Sequence, residues 1–403
     1  MFEQALEHMK LADSGPPTRD MEIQNASPSF DQIAGLPSEA YVSANFLELE
    51  RKFIFARTWV CVGLATDIPK AGDMVPADVA GLPIVLVRDR QGILRAFHNI
   101  CSHRGLQLVT KPCSNPSRIH CPYHAWTYDL EGKLRKTPHF GGYGQETYEG
   151  FDRDAKSLKP IRIDQWLDFI FVNLSGDAPP LADYLAPVTQ RWAHYDFSQL
   201  RYGGELGFEM QANWKLAIEN FSESYHLPTA HPQLNNCSRM EDHYGFDVGE
   251  SHVGQGSSLY KRGSVNGTAL PTFTNLSQDQ MTRAEYVALF PNLMVGVHPD
   301  YFIGLMVNPI APNRSKERLA FYFVGDDALT PEFEQVRDLA INLWKITNEE
   351  DIEMVERMQI GRMSLVFDGG CFSPALETTV QHFQRLITQW MNPTPPTIQS
   401  ATA

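Results

Sequence analysis

The amino-acid sequence predicts an α+β protein, with a small β-rich domain followed by a larger domain that mixes strands with long helices. Its 403 residues exceed a typical single domain and suggest two. Short alternating apolar runs broken by Gly and Pro dominate from 59 to about 175, whereas the last part of the chain repeats its apolar residues every three to four positions. Three segments are expected: an N-terminal arm and helix over 1–44 packing on the larger domain, the β-rich domain over 45–175, and the larger domain over 176–403.

Pro16, Pro17, Pro28 and Pro37 among small polar residues predict an extended arm after a short initial helix. A stronger helix is expected at about 38–58, where Tyr41, Phe46, Leu47, Leu49, Phe53, Ile54 and Phe55 recur and Ser38 is placed to cap it. Strands follow at Pro83–Arg88, Ile93–Phe97, Trp126–Leu130 and Phe169–Asn173, and later at 292–311 and 318–324. Phe333, Val336, Leu339, Leu343, Ile346, Ile352, Val355 and Met358 predict a helix over about 331–365. Leu376, Val380, Phe383, Leu386, Ile387 and Trp390 predict another over about 374–391, before a Pro/Thr tail at 393–397.

A net charge of -14 argues against nucleic acid or anionic lipid as a partner, and no run of eighteen uninterrupted apolar residues offers a membrane span. Acids near the start, in Met1–Lys10, are unlike a secretory signal, so a cytoplasmic location is expected. Cys61, Cys113, Cys237 and Cys371 are scattered without the spacing of a disulfide framework and read as free thiols.

Cys101-Ser-His103 and Cys121-Pro-Tyr-His124 lie seventeen residues apart in a loop-rich stretch. Two thiolates and two imidazoles are the ligand set of a Rieske [2Fe–2S] centre, in which cysteines hold one iron and histidines the other, raising the reduction potential. Zinc could take the same four groups, but zinc fingers usually keep the cysteines in one pair and the histidines in another, whereas each pair here is mixed. Tyr123 and Trp126 crowd the second pair and would shield a cluster from solvent.

A second constellation follows Asn213-Trp-Lys215, in Ile218-Glu-Asn-Phe-Ser-Glu223-Ser-Tyr-His226-Leu-Pro-Thr-Ala-His231. Glu223 and His226, three apart, are expected on one helical face, and Pro228 should break the helix so that His231 can turn back toward His226. Two imidazoles and a carboxylate with open positions form the facial triad of non-haem iron(II). Asp351 is the candidate third ligand, with Glu349, Glu350 and Glu353 competing on the same predicted helix.

Taken together, the Cys-His pairs, the Asn-Trp-Lys entry, Glu-Asn before Tyr-His with a second His five on, and the late Glu-Asp helix followed by Gly361-Arg362 resemble the oxygenase component of the Rieske non-haem iron oxygenases over nearly the whole chain. The resemblance implies a Rieske domain with Cys101, His103, Cys121 and His124 on the cluster, and a helix-grip (START-like) catalytic domain with His226, His231 and Asp351 on iron. It also implies a homotrimer, dioxygen and a small organic molecule as substrates, and a separate flavin and iron–sulfur reductase delivering electrons from NAD(P)H. Asn220 and Tyr225 are expected as further catalytic residues, and Glu223 matches the carboxylate that bridges a cluster histidine of one subunit to an iron histidine of the next. Many members have aspartate there, with one residue more before the histidine. The glutamate and shorter spacing resemble the branch of carnitine- and glycine-betaine-type monooxygenases.

C–H hydroxylation of a quaternary ammonium compound, with loss of an N-methyl group, is therefore the expected reaction, and ring hydroxylation of an aromatic acid is the alternative. Tyr225, Tyr244, Phe246, Tyr260, Phe290, Tyr301 and Phe302 are available to meet a cation with ring faces, or Arg262 or Arg283 to take a carboxylate. A pure electron carrier would leave Glu223, His226 and His231 unexplained.

Overall fold

Ser43 divides the first helical segment. Its backbone is extended and its side chain accepts a hydrogen bond from the Phe46 amide, so one short helix ends at α1 (Glu39–Val42) and another begins at α2 (Ala44–Glu50). Ser38, the expected cap, is itself helical and makes no side-chain cap bond. The segment ends in a π-helical turn, Arg51–Phe55. The computed structural model describes residues 35–392, so the arm expected before residue 35 and the tail at 393–397 lie outside the described residues.

Nine strands follow: β1 (Val60–Leu64), β2 (Met74–Val79), β3 (Leu82–Arg88), β4 (Leu94–His98), β5 (Ile119–His120), β6 (Thr127–Tyr128), β7 (Leu134–Lys136), β8 (Pro160–Trp166) and β9 (Phe169–Asn173). They form a six-stranded sheet in the order β1-β9-β8-β4-β3-β2 and a three-stranded sheet β5-β6-β7. The apolar run of β3 is buried on both faces because it serves two cores. Val85 and Val87 pack with Cys101, Cys121 and Trp126, while Ile84 and Leu86 join the larger core with Trp214 and Ile218. The expected strand at Trp126–Leu130 shrinks to two residues, because Trp126 closes a cysteine loop instead.

After α3 (Leu181–Arg191) comes the long strand β10 (Leu200–Met210), then α4 (Trp214–Phe221), α5 (Leu227–Ala230) and α6 (Pro232–Cys237). Strands β11 (His243–Phe246), β12 (His252–Ser257), β13 (Ala284–Leu289), β14 (Leu293–Val297), β15 (Tyr301–Ala311) and β16 (Arg314–Val324) complete a seven-stranded antiparallel sheet in the order β10-β16-β15-β14-β13-β12-β11. The strand region expected over 292–311 is a hairpin, β14 and β15, turning at His298–Asp300. Two helices close the described chain, α7 (Glu334–Gly361) and α8 (Thr378–Met391). No helix among the described residues is long and apolar enough to cross a membrane.

The apolar periodicity of α7 does not describe its buried face. Val336, Trp344 and Val355 are buried together with Thr347, Asn348 and Gln359, while Leu339, Ile346 and Met358 are exposed. The buried polar residues fix the helix by hydrogen bonds. Gln359 accepts from the Asn213 amide and donates to the Tyr41 carbonyl, and Asn348 donates to Glu317 on β16.

Asn213-Trp-Lys215 holds these parts together. Asn213 caps α4 and donates to the carbonyls of Tyr41 and Pro312. Lys215, fully buried, meets Glu50 at 2.5 Å, and Trp214 donates its indole N–H to the same carboxylate at 3.0 Å. Burial opposes the charge on both partners, raising the pKa of Glu50 and lowering that of Lys215, and their attraction offsets only part of it. Lys215→Met should therefore strand a buried carboxylate and lower stability by about 3–5 kcal/mol. Urea unfolding would register this as an earlier midpoint with an unchanged slope.

Candidate metal centres

The cysteine loops between β4 and β6 share one backbone design. In the first, the Cys101 amide donates to the Leu106 carbonyl and the Gly105 amide donates to the Cys101 carbonyl. In the second, the Cys121 amide donates to Trp126 and the Ala125 amide to Cys121, with the same offsets of five and four residues. The fourth residue after each cysteine is left-handed, Gly105 at φ 71° and Ala125 at φ 58°. Such a turn suits glycine and costs alanine on the order of 1 kcal/mol. The loops thus present their cysteines alike, although one histidine follows at the second position and the other at the third.

The donors are sorted by type. Cys101 and Cys121 are buried and interact with one another, while the His103 and His124 rings lie 4.7 Å apart, half-buried and exposed respectively. Sulfurs inside and imidazoles outside fit a two-iron cluster with unlike ends better than a single tetrahedral ion. Trp126 stacks on His103 at 4.9 Å, and Tyr128 lies 3.3 Å from the Cys101 sulfur, placing a hydroxyl beside a thiolate of the kind that tunes cluster potential.

The second site begins where α4 ends. Glu223 lies beyond that helix, in a turn, and not on a helical face as expected. Its carboxylate folds back to accept from the amides of Tyr225 and His226, and its other oxygen meets His226 Nδ1 at 2.5 Å. Pro228 does not cause the break before His231. It sits in the first turn of α5, where proline is tolerated, and the break falls at His231, which is forced out of helix by the following Pro232.

Asp351, on α7, comes between the two rings: its Oδ1 is 2.7 Å from His231 Nε2 and 3.6 Å from His226 Nε2. Ligand atoms of all three residues lie within 4.8 Å of one another. The outer nitrogens are also engaged, His226 Nδ1 by Glu223 and His231 Nδ1 by Glu350 at 2.7 Å. Carboxylates on the far side of ligating imidazoles fix tautomer and orientation and make the nitrogen a better donor. Burial opposes charge on His231, but Asp351 and Glu350 outweigh it and raise its pKa, so the cavity favours a cation. Two imidazoles and one carboxylate with an open side suit iron(II).

The pocket around this trio, a cavity of about 50 Å³, is walled by Phe221, Tyr286 and Trp344, with Asn220, Gln255 and Thr347 among its polar groups. Tyr225 does not line it and is 54% exposed. Tyr244, Phe246, Tyr260, Phe290, Tyr301 and Phe302 are likewise outside this wall. Tyr260 and Tyr301 are hydrogen-bonded to each other in the core, and Arg262 is paired with Asp300. Trp344, Thr347 and Asp351 fall three and four apart on α7, a helical stripe that could have been read from the candidate ligand backward. Glu350 and Tyr286 had no such signal.

A Cys/His double loop on a β domain, joined to a sheet gripping a helix that completes a His/His/Asp site, defines a Rieske-type oxygenase. Residues 58–149 match the family model of the Rieske [2Fe–2S] domain, and residues 197–393 match that of the ring-hydroxylating alpha subunit catalytic domain. The glycine betaine monooxygenase oxygenase subunit of Pseudomonas aeruginosa is 32% identical, over 88% of this chain and 88% of that one. The anthranilate 1,2-dioxygenase large subunit of Burkholderia cepacia is 34% identical, over 82% and 84%. Among solved structures, the quaternary ammonium Rieske monooxygenase CntA superposes with a TM-score of 0.73 at 24% identity, covering 89% of this chain and 96% of that one. The chain belongs to the Rieske non-haem iron oxygenases and is the oxygenase component of such a system.

Two outcomes test the site. Cys101→Ser should bleach the visible absorbance of the cluster. Glu350→Gln should weaken iron retention roughly tenfold to a hundredfold while leaving that absorbance intact. Because protonation of His231 competes with metal and its pKa is raised, iron should be lost as pH falls through that pKa, which metal analysis after dialysis at stepped pH would follow.

Proposed function

We propose that this chain hydroxylates a quaternary ammonium compound at a carbon bound to nitrogen, with His226, His231 and Asp351 holding the iron and Cys101, His103, Cys121 and His124 holding the cluster. The observation that carries the reading is the His/His/Asp trio with a carboxylate behind each imidazole. When bound, the cluster supplies single electrons and the iron supplies oxygen activation.

The chain's own residues set the conditions for that chemistry. Glu223 and Glu350 hold the two imidazoles by their Nδ1 atoms. His243, whose pKa burial lowers to about 4, stays neutral beside them and bonds to Ser238. Phe221, Tyr286 and Trp344 exclude water and offer ring faces to a trimethylammonium head, which has no hydrogen-bond donor. Among the described residues the pocket lining contains no Lys or Arg, which supports a cation over an anion as the end of the substrate that enters. A carboxylate at the other end of a betaine would then point outward.

The outward-facing His103 and His124 support electron transfer to a neighbouring subunit, with Glu223 as the bridge. A homotrimer is proposed on the family resemblance, and exposed Ile360, Met363, Leu365 and Val366 offer an apolar patch for subunit contact. Electrons are proposed to come from NAD(P)H through a separate reductase. The 34% identical anthranilate dioxygenase subunit favours a second reading, ring hydroxylation of an aromatic acid.

A single-turnover experiment decides between them. The cluster is reduced chemically, oxygen is added, and reoxidation is followed with glycine betaine or with anthranilate. Faster reoxidation with glycine betaine, with formaldehyde released, is the expected result, and acceleration by anthranilate alone would replace this reading by the second. Glu223→Gln should keep both metals yet slow reoxidation by at least about tenfold.

A further inference from the structure

A cavity of about 270 Å³ lies where the turn between β8 and β9 meets the catalytic sheet, and its lining includes no residue of either metal centre or of the iron-side pocket. Strand register builds its floor. Tyr202 on β10, Tyr322 on β16 and Phe302 on β15 stand directly opposite one another across three adjacent strands, so all three rings leave the same face of the sheet. Phe169 on β9 and Phe197 complete the aromatic lining. Neighbouring rings meet at 53° to 71°, so they do not stack on one another and keep π surface for a guest.

One carboxylate joins this aromatic cup. Asp168, in the β8–β9 turn, accepts from the Thr66 amide on Oδ1 at 3.0 Å and from the Thr66 and Tyr322 hydroxyls on Oδ2 at 2.8 and 2.9 Å. Among the described residues it belongs to no ion pair, and Arg318 on β16 is already shared by Asp67 and Glu205 at 2.6 and 2.5 Å. Burial raises the Asp168 pKa, the bonds from Thr66 and Tyr322 offset only part of this, and the charge of Asp67 adds to it. A cation brought from outside the chain would stabilise the ionised carboxylate. Among the described residues the lining holds no Lys or Arg, and with no histidine, cysteine or second carboxylate it is not a metal-ligand set.

We propose that this cavity is a second ligand site, separate from the iron, that takes the quaternary ammonium head of a small molecule. The rings supply the π faces that such a head needs, and Asp168 supplies the opposite charge. Hydrogen-bond capacity favours a quaternary nitrogen over a primary ammonium or a guanidinium. Neutral donors already take three of the roughly four lone-pair positions of Asp168, which leaves little for a cation rich in N–H groups, whereas a fully alkylated nitrogen has none to satisfy. Tyr202, 37% exposed, leaves the cavity open to solvent on its side. The inference stands apart from the substrate proposed above.

The test is calorimetric titration of the anaerobic, metal-loaded protein with choline and with its uncharged carbon isostere, 3,3-dimethylbutan-1-ol. Wild-type protein should bind choline the more tightly. Asp168→Asn, which keeps the size of the side chain and removes its charge, should weaken choline by about tenfold or more and leave the isostere unchanged. Tyr202→Leu, which removes one ring from the open side, should weaken choline roughly threefold. Should choline also occupy the iron-side pocket, Asp168→Asn removes one of two binding events. Unaltered cluster absorbance and iron content establish that each variant is folded. Choline binding that neither substitution changes, equal loss of both ligands, or no choline binding by wild-type protein would overturn the site. The titration involves no turnover, so its failure would leave the proposed reaction standing, and failure to oxidise glycine betaine would leave this site standing.

Discussion

Each imidazole of the mononuclear site is gripped on its outer nitrogen by a carboxylate, and the two grips come from different places. Glu223 reaches His226 across a three-residue turn, so that contact is local. Glu350 reaches His231 from a helix more than a hundred residues later, and Asp351 from the same helix comes between the two rings. The site therefore depends on the register of α7 against the segment that carries the histidines.

Much of the surrounding polar core serves that register. Gln359 on α7 ties to Asn213 and Tyr41, and Asn348 ties to Glu317. Tyr41 and Gln384 both donate to Glu219, joining α1, α4 and α8. The Glu50–Lys215 pair adds the N-terminal helix. These buried bonds are costly to leave half-made, so sliding α7 by one residue would break several together. An apolar interface would tolerate such a slip more readily.

The cluster end is built on a different principle. Its loops are short and local, each closed by two backbone hydrogen bonds and one left-handed residue, and they rest on alternate residues of β3. The same strand places its other face in the catalytic core, so one strand joins the two halves through packing. With sulfurs inside and imidazoles outside, the arrangement gives a cluster both shielding and an exit.

Sequence alone carried what depends on residue type and short spacing. The mixed Cys-His pairs, the His226/His231 pair and the long helices were legible because ligand chemistry and periodicity are local. Asp351 was one acid among several until α7 was set against the histidines, and Glu350, a competitor for the same role, proved to hold His231 from behind. The apolar stripe of α7 misled because its inner face is polar: hydrophobic periodicity cannot detect Thr347, Asn348 and Gln359 as buried. Aromatic residues counted downstream of the histidines went mostly to the core, while Phe221, Tyr286 and Trp344 form the wall. Which rings face the iron site, and that Asn348 on α7 meets Glu317 on β16, are decided by strand alternation and helix register. Those are tertiary facts, since a side chain's neighbours across a sheet or between helices are distant in sequence.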